Sequence, residues 1–162
     1  MPIPCPPEAG IAPTRRRLVC MALGLAAAGG LAGCSQEAGP APRAIKLKRE
    51  SCDYCGMPIG DPRYAAEIWN ADIGRVRVYD DFGCAVIAAS QRKELERTEI
   101  AFWVADEGDP ARWLPARSAR YRAGVATPMG HGYAAGAEAG HPADFATASA
   151  AICEKALCAH PT

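Results

Sequence analysis

The 162-residue chain lacks an excess of charge of either sign. Its 18 Lys and Arg are matched by 18 Asp and Glu, for a formal net charge of zero. That balance gives no support to a nucleic-acid binder, whose footprint is a surplus of cations. Aromatic residues are scarce as well, at 7%, and with the short length this argues for one or at most two small globular units. No apolar run reaches the roughly 20 residues of a membrane-spanning helix. Wholesale disorder is excluded too, because 49% of the residues are hydrophobic, although 14 prolines and 16 glycines imply many turns.

Cysteine, by contrast, is abundant, with eight in all. They form no single disulfide framework until targeting segments are set aside. Residues 14–34 read as a lipoprotein signal. Arg15, Arg16 and Arg17 hold the start on the cytoplasmic side, the uncharged run 18–32 engages the export machinery, and Leu31-Ala32-Gly33 admits a peptidase before Cys34. On this reading residues 1–33 are the signal peptide, Cys34 becomes the lipidated first residue, and 34–44 form a polar, Pro-containing tether. The tandem arginines also resemble a twin-arginine export signal. The expected location is the periplasm, anchored to the inner or the outer membrane. Five free cysteines remain: Cys52, Cys55, Cys84, Cys153 and Cys158.

In the folded part, runs at 64–70 and 75–80 flank Ala71-Asp72-Ile73-Gly74 and predict a hairpin with Val76 and Val78 on one face. Asp80 or Asp81 is placed to cap a helix from 82 to about 95. A third strand follows at 100–104. Further strands are expected near 116–125 and 132–137, then a helix that has Pro142 in its first turn and runs to about 157. The predicted class is α+β, with antiparallel hairpins and a helix on each sheet, organised as two units, 45–110 and 111–162.

Chemistry gathers in two loops. Cys52-Asp53-Tyr54-Cys55-Gly56-Met57 offers two thiols and a thioether, and Thr127-Pro128-Met129-Gly130-His131-Gly132 adds Met129 and His131 beside two glycines that let backbone approach an ion. Sulfur donors of this softness favour Cu(I), whereas Zn(II) prefers four thiolate or imidazole ligands. The candidate metal residues are therefore Cys52, Cys55, Met57, Met129 and His131. Each also has a plainer reading. The Cys52/Cys55 pair could be a disulfide or a thiol-disulfide redox couple, Met57 could fill a core, and His131 could be an ordinary hydrogen-bonded residue. Cys84 is read as a small buried hydrophobe with a secondary reactive role, and Asp80-Asp81 as capping residues in preference to acid/base carboxylates. Cys153 and Cys158 are too far apart on a helix to bridge unless it frays, and with His160 they could form a small extra metal site or an unordered tail.

These motifs in this order, from the Leu-Ala-Gly-Cys leader through Cys52-x-x-Cys55-Gly-Met57, Asp61-Pro62-Arg63, Tyr79-Asp80-Asp81-Phe82-Gly83-Cys84 and Thr127-Pro128-Met129-Gly130, resemble the NosL family of nitrous oxide reductase accessory lipoproteins. The resemblance spans about residues 50–138 and implies a non-enzymatic periplasmic Cu(I) chaperone. Its cargo would serve the copper-sulfide centre of nitrous oxide reductase, and its partners would be that enzyme and a membrane maturation and transport complex. It also implies two ββαβ-type units, similar to a domain of organomercurial lyases. The ligands it carries over are Cys55, Met57 and Met129, with Cys52 beside them; it assigns no role to His131, and Cys153, Cys158 and His160 lie beyond it. A thiol-disulfide oxidoreductase acting through Cys52 and Cys55, and a zinc-stabilised interaction module, are the alternatives.

Overall fold

A computed structural model describes residues 40–137, 140 and 142–159. The leader, the candidate lipid attachment at Cys34, His141, the side chain of Cys158 and His160 lie outside the described residues. Gly39–Thr162 forms one compact unit. Among the described residues no helix is long and apolar enough to cross a membrane.

The expected hairpin is present as β1 (Ala66–Asn70) and β2 (Arg75–Tyr79), paired antiparallel with Ala66 opposite Tyr79 and Asn70 opposite Arg75. The Asn70 side chain accepts the Asp72 N–H within the turn. Side chains alternate across a strand, so Ala66, Ile68, Arg77 and Tyr79 share one face, and Glu67, Val76 and Val78 share the other. The first face packs on helix α1 (Phe82–Gln91); on the second, Val78 joins Ile59 and Ala65 in a small cluster flanked by Val76, Ile45 and Trp113.

Helix α1 begins where the sequence places it. Asp81 is extended and its carboxylate accepts the Gly83 N–H at 2.7 Å, meeting one of the four donors that a helix start leaves unpaired. The helix stops at Gln91, short of the expected 95. Lys93 takes a left-handed conformation (φ 57°), the Glu94 N–H returns to the Ala89 carbonyl, and Glu94 pairs with the buried Arg77.

Strand β3 (Phe102–Ala105) lies beside β1, and β4 (Trp113–Pro115) pairs with β3, giving one antiparallel sheet in the order β2-β1-β3-β4. The sequence reading has no separate strand at 113–115. It expects one strand over 116–125, but residues 115–119 form a turn, with Ser118 and Ala119 N–H groups returning to the Pro115 carbonyl, and the strand that follows is β5 (Arg120–Ala123). β5 and β6 (Tyr133–Gly136) form a separate two-stranded sheet. The first segment thus has the ββαβ order. In the second, β4 completes the first sheet and the β5–β6 hairpin is followed by helix α2 (Phe145–Ala159), the expected order of two strands and a helix. Pro142 is not in that helix's first turn, because Ala143 pairs with Tyr121 in a short β-bridge and Asp144 caps the helix by accepting the Thr147 N–H.

Four aromatic rings join these parts. Phe82 of α1 stacks on Tyr121 of β5 with centroids 4.4 Å apart, and Phe102 of β3 meets Phe145 of α2 edge-on at 5.6 Å. Burial of such rings is the largest apolar contribution available to an aromatic-poor chain. The Tyr121 hydroxyl, buried with them, donates to the Ala116 carbonyl at 2.6 Å. The core therefore clamps the start of α1 between the two sheets and α2.

Candidate metal centre

The Cys52–Met57 segment is a tight turn. The Cys52 N–H donates to the Met57 carbonyl at 2.9 Å and the Gly56 N–H to the Cys52 carbonyl at 3.0 Å. Asp53 fastens this turn to the edge of β2, its N–H donating to the Val78 carbonyl at 2.8 Å and its carboxylate accepting the Val78 N–H at 2.9 Å. Edge strand β2 thus has its free backbone groups at this point satisfied by the turn. Docking there brings Cys52 and Cys55 over the N-terminus of α1.

Cys84 stands in the first turn of that helix, fully buried. The sulfurs of Cys52, Cys55 and Cys84 all lie within 4.8 Å of one another. All three are free thiols. Of the sequence candidates the structure brings Cys52 and Cys55 together and sets Cys84 beside them: it is buried, as expected, but against two other sulfurs as well as against the core. The Tyr79-Asp80-Asp81-Phe82-Gly83-Cys84 motif places Cys84 in the first turn of the helix that follows β2, the strand on which the cysteine turn docks.

The trio is electrostatically uneven. The Cys84 thiol donates to Cys52, and backbone N–H groups of Cys55, Asp80 and Tyr54 also point at it; together they pull Cys52 down to about 5. Cys84 is pushed up, first by serving as that donor and then by burial. Cys55 is raised by burial. One sulfur is thus readily ionised and two keep their protons beside it, an arrangement in which an incoming metal cation displaces the protons.

His131 approaches from the other loop, its Nε2 3.7 Å from the Cys84 sulfur. Its ring rests on Gly83, where any Cβ would fall 2.2 Å from the imidazole Cγ. The loop is tied at several points. Asp81 Oδ2 accepts the Met129 N–H at 3.3 Å, Thr127 Oγ1 accepts the Gly132 N–H at 3.1 Å, and Lys155 of α2 donates to the Gly130 carbonyl at 2.8 Å. Gly130 and Gly132 have φ of 69° and 84° with open space or a distant carbonyl about their Cα atoms. Both positive φ values shape the turn at positions that a side chain would strain.

Met57 and Met129 are 54% and 38% exposed. Met57 lies on the turn that carries Cys52 and Cys55, and Met129 on the loop that carries His131; both are more exposed than the cysteines, of which Cys52 and Cys84 are buried and Cys55 is partly so. Asp80 and Asp81 serve backbone N–H groups, of Gly60 for the first and of Gly83 and Met129 for the second. Cys153 is partly buried against the core and, among the described residues, belongs to no group of metal ligands.

Three convergent sulfurs suit a soft or borderline metal ion. Among the described residues no imidazole or carboxylate joins all three at the same spacing, so the preformed set offers three donors where a structural zinc site uses four thiolate, imidazole or carboxylate ligands.

No family model and no curated protein matches the chain. The fold is similar to the crystal structure of the copper chaperone NosL from Shewanella denitrificans, with a TM-score of 0.50 and 15% identity over 71% of this chain and 89% of that one. At that identity the likeness establishes the α+β fold.

Proposed function

We propose that this chain is a non-enzymatic Cu(I) carrier whose cargo is held by Cys52, Cys55 and Cys84 and released by ligand exchange. The observation that carries the reading is the convergence of three free sulfurs within 4.8 Å in a mostly buried site. Thiolates favour soft ions such as Cu(I), and a set of three donors, one short of the four of a closed zinc site, leaves the ion open to a partner's ligand. The exposed thioethers of Met57 and Met129, with His131 beside Cys84, supply weaker ligands at the surface through which copper would enter and leave. A fold shared with a copper chaperone is consistent with this role. In the same proposal the chain is exported to the periplasm, held at the membrane by lipid on Cys34, and delivers copper to a maturation complex of nitrous oxide reductase. A membrane tether would raise its local concentration near such a partner.

Anaerobic Cu(I) titration of the reduced chain against a competing chelator tests the proposal. A single saturable site is expected, lost on Cys55→Ser, with copper transfer to an external thiol slowed in Met57→Ala/Met129→Ala. Binding no tighter than the chelator's background would refute the carrier reading.

One observation favours a second reading. The low Cys52 and raised Cys55 thiols make the unequal pair that thiol-disulfide exchange uses. Cys52 is only 3% exposed, which hinders attack on a protein disulfide. Catalysed disulfide reduction that survives Cys84→Ser would support this alternative over the carrier.

A further inference from the structure

The segment that leads into the cysteine turn carries a feature that copper binding does not use. Residues 46–49, Lys-Leu-Lys-Arg, form an exposed turn in which Lys48 is left-handed (φ 59°) and Leu47 is 41% exposed. Arg43, just upstream, turns its guanidinium onto Glu50, with Nη1 3.0 Å from Oε1, and so engages the nearest carboxylate. Among the described residues no ion pair forms to Lys46, Lys48 or Arg49. A formally neutral chain thus gathers three unpaired cations around one projecting leucine. Behind that leucine lies a mainly apolar groove of about 310 Å³, lined by Pro42, Ile45, Leu47, Pro62, Ala65 and Trp113 among others.

We propose that this turn docks on an anionic phospholipid surface, with Leu47 entering the interface and Lys46, Lys48 and Arg49 meeting lipid phosphates. Charge complementarity selects the occupant: an apolar tip ringed by cations matches a bilayer interface, where hydrocarbon lies just beneath anionic headgroups. Chain length adds to it. Fully extended, the segment from Cys34 to Pro42 spans at most about 28 Å, so a lipid on Cys34 would hold the turn within reach of the bilayer. The choice of a membrane as occupant rests in this respect on the lipoprotein reading above. Docking would orient the molecule as well as retain it, because the turn is joined to the metal loop by backbone pairing of Lys48 and Glu50 with Ile59.

The test is co-sedimentation of the unlipidated chain starting at Ser35, which retains the whole compact unit, with phosphatidylglycerol-containing vesicles and with pure phosphatidylcholine vesicles, at low and high salt. Lys93 provides a matched control, since it is also exposed and left-handed (φ 57°) but lies after α1. Binding to the anionic vesicles alone is expected, weakened by salt and reduced at least about fivefold by Lys48→Glu and by Leu47→Ser, with Lys93→Glu close to the parent. Absence of binding, or equal loss in Lys93→Glu, would overturn the proposal and turn attention to an acidic protein partner for the turn. Mass analysis of the Cys34 peptide from cell membranes tests the lipid anchor separately, so either idea can fail without the other.

Discussion

The imidazole of His131 occupies the space where a side chain at position 83 would begin, with only 2.2 Å between its Cγ and a Cβ on Gly83. Glycine at the second residue of α1 is therefore a condition for His131 to reach the Cys84 sulfur, and the helix tolerates its entropic cost there. Gly83→Ala is expected to expel the ring, at about 1–3 kcal/mol if the loop resists. On copper affinity it should have the effect of His131→Ala, and the double variant should lose no more than either single one. Additive losses in that cycle would show that the two residues act independently.

Asp81 joins the two halves of the site, since one carboxylate oxygen caps α1 and the other accepts the Met129 N–H. Asp81→Ala removes both bonds. The cap alone is worth about 1 kcal/mol, and loss of the loop tie should add to it. A lower denaturation midpoint is expected, together with faster proteolysis within 125–132. A variant with the parent's cleavage pattern would mean that Lys155 and Thr127 hold the loop without Asp81.

Glu67 gives a stability-versus-pH signature that is separate from the metal site. It is fully buried on the face of β1 shared with Val76 and Val78, one oxygen accepts the Arg43 N–H, and the other has no partner among the described residues. Burial raises its carboxyl to about 7 from an ordinary 4.5. The folded chain then holds this proton more tightly than the unfolded one, so this group's contribution is fully present below about pH 4.5 and is lost as pH rises to about 7. The change is on the order of 3 kcal/mol. In urea denaturation Glu67→Gln should flatten that slope and be the more stable chain at pH 8. Parallel pH profiles for the two chains would show that Glu67 is ionised throughout.

Much of the fold is legible in the sequence because local chemistry decides it. The hairpin is set by alternation and the Asp72 to Gly74 turn, and α1 by Asp81. The departures come from tertiary partners that no local pattern displays. Helix α1 ends early because Glu94 finds Arg77, and β4 exists because Trp113–Pro115 can pair with β3. The site follows the same division. Cys52 and Cys55 stand out by spacing, whereas Cys84, 29 residues further on, meets them only because Asp53 docks the turn on β2. Met57 and Met129 were legible as soft donors, but their exposure was not.

Cys84 is the residue on which the carrier account rests most heavily, and X-ray absorption at the copper edge, on the anaerobic Cu(I)-loaded chain, addresses it directly by counting sulfur scatterers. The account predicts three sulfurs around copper in the parent chain and two in Cys84→Ser, with tighter retention in the parent. The same sulfur count in both chains would contradict it, leaving Cys84 a core residue and the metal site, if there is one, confined to the Cys52–Met57 turn.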